Sequence, residues 1–364
     1  MSLVLEVAAT DGPARVATAT TARGTFTTPC FMPVGTRGTV KGLAAPDLEV
    51  LGAEVVLANA LHLALRPGAA TVAALGGLHR FSGWSGHVLT DSGGYQVFSL
   101  RPEVDDDGVT FRSPYDGTPT RLTPEGVVDL QGTLGSDLAM VLDECPPLPS
   151  PPAVIRRAVE RTLAWAARSR RAPRREGQAL LGIVQGGTDL VLRAECATRV
   201  VQLGFDGYAV GGLSVGEPRP AMLETLAATL EHLPADRPRY LMGVGDPVGL
   251  VEAIALGVDL FDCVLPTRLA RHGHVLTGEG RLALRNARFA TDDGPLDPSC
   301  GCSTCARWSR GFLRHLLLVG EPTGPRLVTV HNLAWVLDLV RRTREAIAEG
   351  RLAALRNEVA AVHR

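Results

Sequence analysis

The chain has 364 residues, 45% apolar and 21% charged, and a net charge of −1. It has enough apolar material for one large core or two ordinary ones, and no apolar run long enough (about 18 residues) to span a membrane as a helix. The near-neutral total hides an uneven distribution. Residues 264–318 carry eight Arg against four acids, a local charge of +4 that leaves −5 for the rest, and residues 168–175 hold a further five Arg. Locally basic faces on a neutral chain fit a polyanionic partner. Met1–Ala9 contains Glu6 and no basic stretch, so it does not read as a signal peptide, and the expected compartment is the cytoplasm.

In chain order, seven short apolar runs stop at a polar residue or at glycine. They are AEVVLAN, ending at Asn59; HVLTD, at Asp91; SDLAMVLD, at Asp143; LLGIVQ, at Gln185; GYAVGG, at Gly211 and Gly212; RYLMG, at Gly243; and VDLFD, at Asp262. Apolar runs of this length without alternation predict strands buried on both faces, hence a parallel sheet. Helical patterns lie between them. Ile155, Val159 and Leu163 recur every four residues within 153–171, and 221–230 and 248–256 are similar. Repeated strand–helix units predict an α/β fold, a (β/α)8 TIM-type barrel with a doubly wound sheet as the alternative. In the barrel, the polar strand ends converge on one pocket. Residues 102–122 break the alternation and predict a β-hairpin insertion with Asp-Gly turns. Residues 329–364 predict helices.

Three constellations carry chemistry. Cys300, Cys302 and Cys305 are followed 26 residues later by His331. Three thiolates and an imidazole close a tetrahedral Zn²⁺ site with no open position, so the zinc is expected to be structural, one per chain. The alternative is a set of unliganded thiols with His331 as a helix N-terminal residue. Asp91, Asp143 and Asp262 all close strands. Carboxylates facing one cavity suit glycosidic chemistry, as nucleophile and as general acid/base, and they also accept from the N1–H and N2–H₂ edge of guanine. The alternative is a set of helix N-caps. Tyr95 and Met242 follow strand ends and are candidates to sandwich a planar ligand, or else ordinary core.

The stretches DSGGYQVFSL, LDECPP, IVQGG, VGGLSVGE, LMGVG, FDCVLPTR, LRNARF and CGCSTC, with a distal HN, resemble the bacterial tRNA-guanine transglycosylase family, in order and from about residue 31 to the C-terminus. The resemblance implies a single catalytic (β/α)8 domain over 1–364, with a small C-terminal zinc-binding subdomain at about 285–335 and the hairpin insertion. The implied reaction exchanges guanine at wobble position 34 of GUN anticodons in tRNA for 7-aminomethyl-7-deazaguanine (preQ1), in a cytoplasmic homodimer. By the same resemblance Asp262 is the nucleophile and Asp91 the general acid/base. Asp91, Ser92, Gly93, Gly94, Tyr95, Asp143, Gln185, Gly212, Leu213 and Met242 bind the base, with Tyr95 and Met242 as the stacking pair. Glu217 holds the adjacent loop peptide, and Cys145 and Val215 match the preQ1-using pattern. Gly243, Val244, Gly245, Asp246, Pro247, Val248 and Gly249, with Thr267, Arg268, Leu269, Ala270 and Arg271, contact RNA. Two stretches depart from the family: Ala60-Leu61 replaces Thr-Tyr, and SPYDG at 113–117 replaces SHIDG. A non-catalytic accessory subunit is the alternative function, but this chain keeps both Asp91 and Asp262. A zinc-dependent hydrolase needs His at the strand ends, and they are not there.

Overall fold

All seven apolar runs form strands, and an eighth strand that their patterning does not flag completes the ring. The structure is a computed structural model that describes residues 3–98, Leu100 and residues 102–363. The barrel strands are β1 (Cys30–Gly35), β2 (Val55–Asn59), β3 (His87–Asp91), β4 (Leu138–Met140), β5 (Ala179–Val184), β6 (Gly207–Val210), β7 (Arg239–Leu241) and β8 (Leu260–Cys263). Each pairs in parallel with its neighbours in chain order, and β8 returns to β1. The expected (β/α)8 barrel therefore forms, and the doubly wound alternative, which leaves two open edges, does not. β1 escapes the patterning because Pro33 interrupts it; it is tolerated at the far end of the ladder, opposite Cys263. β4 ends at Met140, so Asp143 lies three residues past its strand.

Every residue of β3, β4, β5 and β6 is buried, which is why these runs do not alternate. The predicted helices are Pro152–Arg171, Arg219–Leu230 and Pro247–Ala255. Each starts with proline in its first turn, where no intrahelical N–H is lost. Ile155, Val159 and Leu163 share the buried face of the first.

The insertion is a three-stranded antiparallel sheet (Glu103–Asp105, Gly108–Arg112, Pro119–Leu122), so the predicted hairpin gains a strand. Its Val109, Phe111 and Leu122 pack with Leu61, Leu142 and Trp165, and the Trp165 indole N–H donates to the Asp106 carbonyl at 2.8 Å. This contact roots the insertion on the catalytic face. The C-terminal helix begins at Thr323, six residues before the predicted start, and runs to Ala348, followed by Leu352–Val362. Ala270, Leu284, Phe289, Leu313, Leu317 and Val328 form a separate apolar cluster beside the cysteine-rich segment. Among the described residues no helix is long and apolar enough to cross a membrane.

An antiparallel sheet with no counterpart in the sequence reading (Leu3–Asp11, Ala14–Thr21, Gly24–Thr28) covers the opposite end of the barrel. Two buried aspartates at strand starts tie it down. The Arg15 guanidinium grips Asp259 through Nε at 2.9 Å and Nη2 at 2.6 Å, and also donates to the carbonyls of Ala235 and Arg237. Asp137 accepts from Arg23 Nε at 2.9 Å and from the Val88 amide at 2.8 Å, with His79 Nε2 at 2.9 Å. Arg15→Ala strands the fully buried Asp259, so it should destabilise the chain by about 3–5 kcal/mol in denaturant titration. Removing the exposed Arg341, which pairs with Asp338 and Glu345, should cost no more than about 1 kcal/mol.

Candidate active site

At the C-terminal end of the barrel, three buried or nearly buried carboxylates are held by neutral donors. Asp91 closes β3, directly opposite Asn59 at the end of β2. The Asn59 Nδ2 amide donates to its Oδ2 at 2.6 Å and the Ala60 amide to its Oδ1 at 3.1 Å. Burial raises its pKa to about 7, and the charge of Asp262 adds to the rise, against the pull of those hydrogen bonds. Asp262 lies in β8. Tyr240 Oη donates to its Oδ1 at 2.6 Å and the Gly243 amide to the same oxygen at 2.8 Å. Both donors address Oδ1, and Oδ2 accepts no hydrogen bond among the described residues. Burial raises the Asp262 pKa, and the two donors oppose the rise. Burial and the Asp262 charge hold the Tyr240 phenol far above its ordinary range, so it stays a donor. Neither Asp143 nor Asp262 caps a helix among the described residues, so the N-cap alternative fails for both.

Asp143 accepts from Gln185 Nε2 at 2.6 Å through Oδ2. Burial raises its pKa to about 6, which leaves it mainly ionised at neutral pH. The Gln185 amide lies close against the Gly211-Gly212 backbone. Gly212 has φ +65°, which favours glycine, and a Cβ there would also press on Gln185 Oε1. Gly93 has the same double constraint, with φ +78° and Leu61 Cβ 2.6 Å from a hypothetical Cβ. The departure at Ala60-Leu61 is thereby located: both residues are buried, and Leu61 is the floor under Gly93. Ser92 is buried and its Oγ accepts from the Gly94 amide at 3.3 Å. Leu213 and Cys145 are buried, and burial pushes the Cys145 thiol up to about 12. Tyr95 is 63% exposed, so it is not ordinary core, whereas Met242 is half-buried and packs against the edge of the main apolar core.

The loop after β6 carries Ser214 at φ +60°, the one non-glycine residue with positive φ among those described. The Glu217 carboxylate fixes it, accepting from the Ser214 amide and, at 3.1 Å, from the Val215 amide. In the two segments expected to contact RNA, Val244, Gly245, Pro247, Gly249, Thr267, Leu269 and Ala270 are buried, Asp246 and Val248 half-buried, and Gly243 and Arg268 exposed. Asp246 caps its helix by accepting from the Gly249 amide and pairs with Arg219 at 2.7 Å. Arg271 Nη1 donates to the Thr267 carbonyl at 3.0 Å. The basic run at 168–175 is partly neutralised: Arg168 pairs with Glu125 and Asp107, and Arg174 with Asp206, while Arg170, Arg171 and Arg175 form no ion pair among the described residues. A cavity of about 830 Å³ lies away from the aspartates, under the loop after β1, lined by Val40, Phe81 and Trp84.

The ligand atoms of Cys300, Cys302, Cys305 and His331 all lie within 4.8 Å of one another. His331 Nδ1 is 3.7 Å from Cys302 Sγ and 3.2 Å from Cys305 Sγ. These spacings suit a tetrahedral Zn²⁺ with Zn–S of about 2.3 Å. His331 Nε2 donates to the Leu276 carbonyl at 2.7 Å, which leaves Nδ1 as the ligand nitrogen. His331 lies in the third turn of its helix and is buried, not N-terminal. The donor set fits zinc and leaves no position for substrate.

The family model described as queuine tRNA-ribosyltransferase matches residues 10–364. The queuine tRNA-ribosyltransferase of Desulforudis audaxviator is 53% identical over 363 residues, 98% of this chain and 98% of its own. Those of Solidesulfovibrio magneticus and Thermus thermophilus are each 51% identical, over 97% and 95% of this chain and 96% and 90% of theirs. The chain belongs to the queuine tRNA-ribosyltransferase family.

Three residues of this family member's site carry no motif that points to a role. Asn59 was legible only as a strand end, yet it ties Asp91 to the helix it caps, accepting from the His62 amide at 2.8 Å. Tyr240 reads as an ordinary strand aromatic. Arg193 sits in the first turn of the helix Leu190–Gln202, fully buried, and donates to the carbonyls of Gly187 (2.8 Å), Val184 (3.0 Å), Gly211 (2.8 Å) and Gly212 (3.3 Å). Burial lowers its pKa to about 10. It ties together the two loops that carry Gln185, after β5, and Gly212, after β6, a role only the folded backbone defines. Because the zinc site is separate from the aspartates, Cys302→Ala should lose bound zinc and several kcal/mol of stability, read by metal analysis and thermal melting. Below its melting temperature the variant should keep the wild-type KM for the free base.

Proposed function

We infer that this chain is a tRNA-guanine transglycosylase that replaces guanine 34 of GUN anticodons with preQ1 through a covalent ribosyl-aspartate. The observation that carries this reading is the pair Asp91 and Asp262, which share one end of the barrel in different environments. Asp262, whose Oδ2 accepts no hydrogen bond among the described residues, attacks ribose C1′ as the C1′–N9 bond to guanine breaks. Asp91, with a pKa of about 7, hands its proton to the departing base. It then takes the N9 proton of the incoming base, whose N9 attacks C1′ and releases the Asp262 carboxylate. A group titrating near neutrality serves both transfers. Two displacements at one carbon retain its configuration.

Asp143, Gln185 and the Gly212 backbone are assigned to the edge of the base, and Tyr95 and Met242 to its faces. The exposed Tyr95 ring is free to stack on a base swung out of the anticodon loop. The Glu217 contact bears on the choice of base. The Ser214 amide points at Glu217, so the carbonyl of Leu213, in the same trans peptide, points the opposite way. An acceptor there suits the ammonium of preQ1, and Val215 leaves little room for the larger queuine. Gly243, Arg268 and Arg271 are the groups of the two RNA segments assigned to the backbone, because Gly243 and Arg268 are exposed and Arg271 is half-buried. We read the chain as one catalytic domain whose zinc module, at about 285–335, supports the RNA-binding side. Zinc, when bound, holds that module together and takes no part in the displacement. A cytoplasmic homodimer belongs to the same reading. The accessory-subunit alternative is not favoured, because both aspartates are present and placed.

Asp262→Asn should abolish guanine exchange and the denaturation-stable RNA adduct, since an amide is a far poorer nucleophile. An adduct at the wild-type level in that variant, on a denaturing gel, would overturn the assignment. The pH dependence tests Asp91. Its protonated form is needed to release guanine, so single-turnover adduct formation should fall as pH rises through about 7. The carboxylates are coupled, so this apparent value belongs to the pair. In Asp91→Asn the rate should drop by a factor of about 10²–10⁴ and the limb near pH 7 should vanish.

A further inference from the structure

Three βα connections on the catalytic face bring an aromatic residue and two arginines together at a place none of the assigned residues occupies. Arg37 lies in the loop after β1, Arg66 at the end of the helix Ala60–Leu65 after β2, and Tyr115 in the turn between the second and third strands of the insertion that leaves β3. The Arg66 Cζ stands 4.3 Å from the centroid of the Tyr115 ring and the Arg37 Cζ 5.9 Å from it. Both arginines are exposed and Tyr115 is half-buried. Neither guanidinium forms an ion pair among the described residues. Elsewhere on the insertion, Arg121 is held by Asp105 at 2.8 Å. The nearest acid in sequence, Asp116, is turned into its own turn, where it accepts from the Thr118 amide at 3.1 Å and from Ser113. Lys41, the only lysine of the chain, is exposed in the same loop as Arg37.

Two cations gathered on one ring, with no carboxylate to balance them, repel each other and leave a net positive field that an anion relieves. A guanidinium stacked on an aromatic face keeps its in-plane N–H donors for another partner, and its planar fork matches the oxygens of a phosphate. The ring restricts both side chains, which lowers the entropy lost on binding. The place is also right for RNA. In the barrel, β8 is followed by β1, β2 and β3, so these loops continue the edge that begins with Arg268 after β8. Arg66 closes the helix that Asn59 caps, and Asn59 donates to Asp91.

We propose that Arg37 and Arg66, oriented by Tyr115, form a phosphodiester clamp for the anticodon stem-loop on the β1–β3 side of the catalytic mouth. The arginines are the RNA contacts and Tyr115 is a positioning residue. The proposal rests on the transglycosylase reading and extends it to a second backbone contact.

The test uses the full chain and four variants, Arg37→Ala, Arg66→Ala, Tyr115→Leu and Tyr115→Phe. Binding of a substrate tRNA and of its isolated anticodon stem-loop is titrated by fluorescence anisotropy across a salt series, beside KM for RNA and for the free base. Each arginine variant should weaken both RNAs roughly three- to tenfold and lower the slope of log Kd against log salt by about one. Tyr115→Leu should weaken binding with little change of slope, because the charges remain, and Tyr115→Phe should behave as wild type because the ring remains. KM for the free base and the melting temperature should not move. Unchanged RNA affinity and slope in both folded arginine variants would overturn the clamp. So would a loss seen with whole tRNA but not with the stem-loop, since the phosphate would then lie elsewhere on tRNA. A wild-type chain that binds RNA but exchanges no base would instead overturn the transglycosylase reading, and the binding arm would still judge the clamp.

Discussion

Burial of acid at both ends of one barrel is the constraint on which the rest of this structure depends. A carboxylate taken out of water must be paired, hydrogen-bonded or neutralised. At the N-terminal end the answer is ion pairing: Arg15 grips Asp259, and Arg23 with His79 holds Asp137. At the C-terminal end the answer is neutral donors: Asn59 on Asp91, Tyr240 on Asp262, Gln185 on Asp143. Neutral donors satisfy lone pairs without cancelling charge. The carboxylates they hold stay poised, with raised pKa values, and so remain available for proton transfer and bond formation.

This contrast is sharpest within one short segment. Asp259 and Asp262 are three residues apart, one before β8 and one inside it, yet the first is locked in an ion pair and the second is the proposed nucleophile. Their different fates follow from which barrel end each reaches. The N-terminal antiparallel sheet supplies the arginines that silence the lower acids, so it supports the chemistry by stabilising the scaffold. The upper acids depend on a second layer: Asn59 capping its own helix, Arg193 pinning four carbonyls, and Glu217 fixing a strained loop. A site held this way is pre-organised before substrate arrives.

The zinc ligands obey a different logic. Their spacing in sequence is tight, and the fourth ligand comes from the third turn of a long helix whose buried face joins the barrel to the smaller apolar cluster. The His331 bond to the Leu276 carbonyl sets which nitrogen faces the thiolates. A zinc ion held by this set would cross-link the cysteine-rich segment to the long helix, and its closed donor set would leave no position for substrate.

Much of this was legible without coordinates. Seven of the eight barrel strands announced themselves as non-alternating apolar runs, because a strand covered on both faces must be apolar at every position. The metal set was legible because thiols so closely spaced have few other uses, and the three aspartates because each ends such a run. Pro33 hid the eighth strand, and the N-terminal sheet, half-exposed and rich in Thr and Ala, resembles loop as much as strand. What the tertiary structure alone decided is pairing. That Arg168 is neutralised while Arg37 and Arg66 share a ring, that Tyr240 donates to Asp262, and that an arginine at the start of a helix pins the loops after β5 and β6 are facts about which residues the closed barrel brings together. Local pattern reports whether a residue is buried, since burial follows from periodicity. It cannot report which distant group neutralises a charge, because that depends on closure of the barrel.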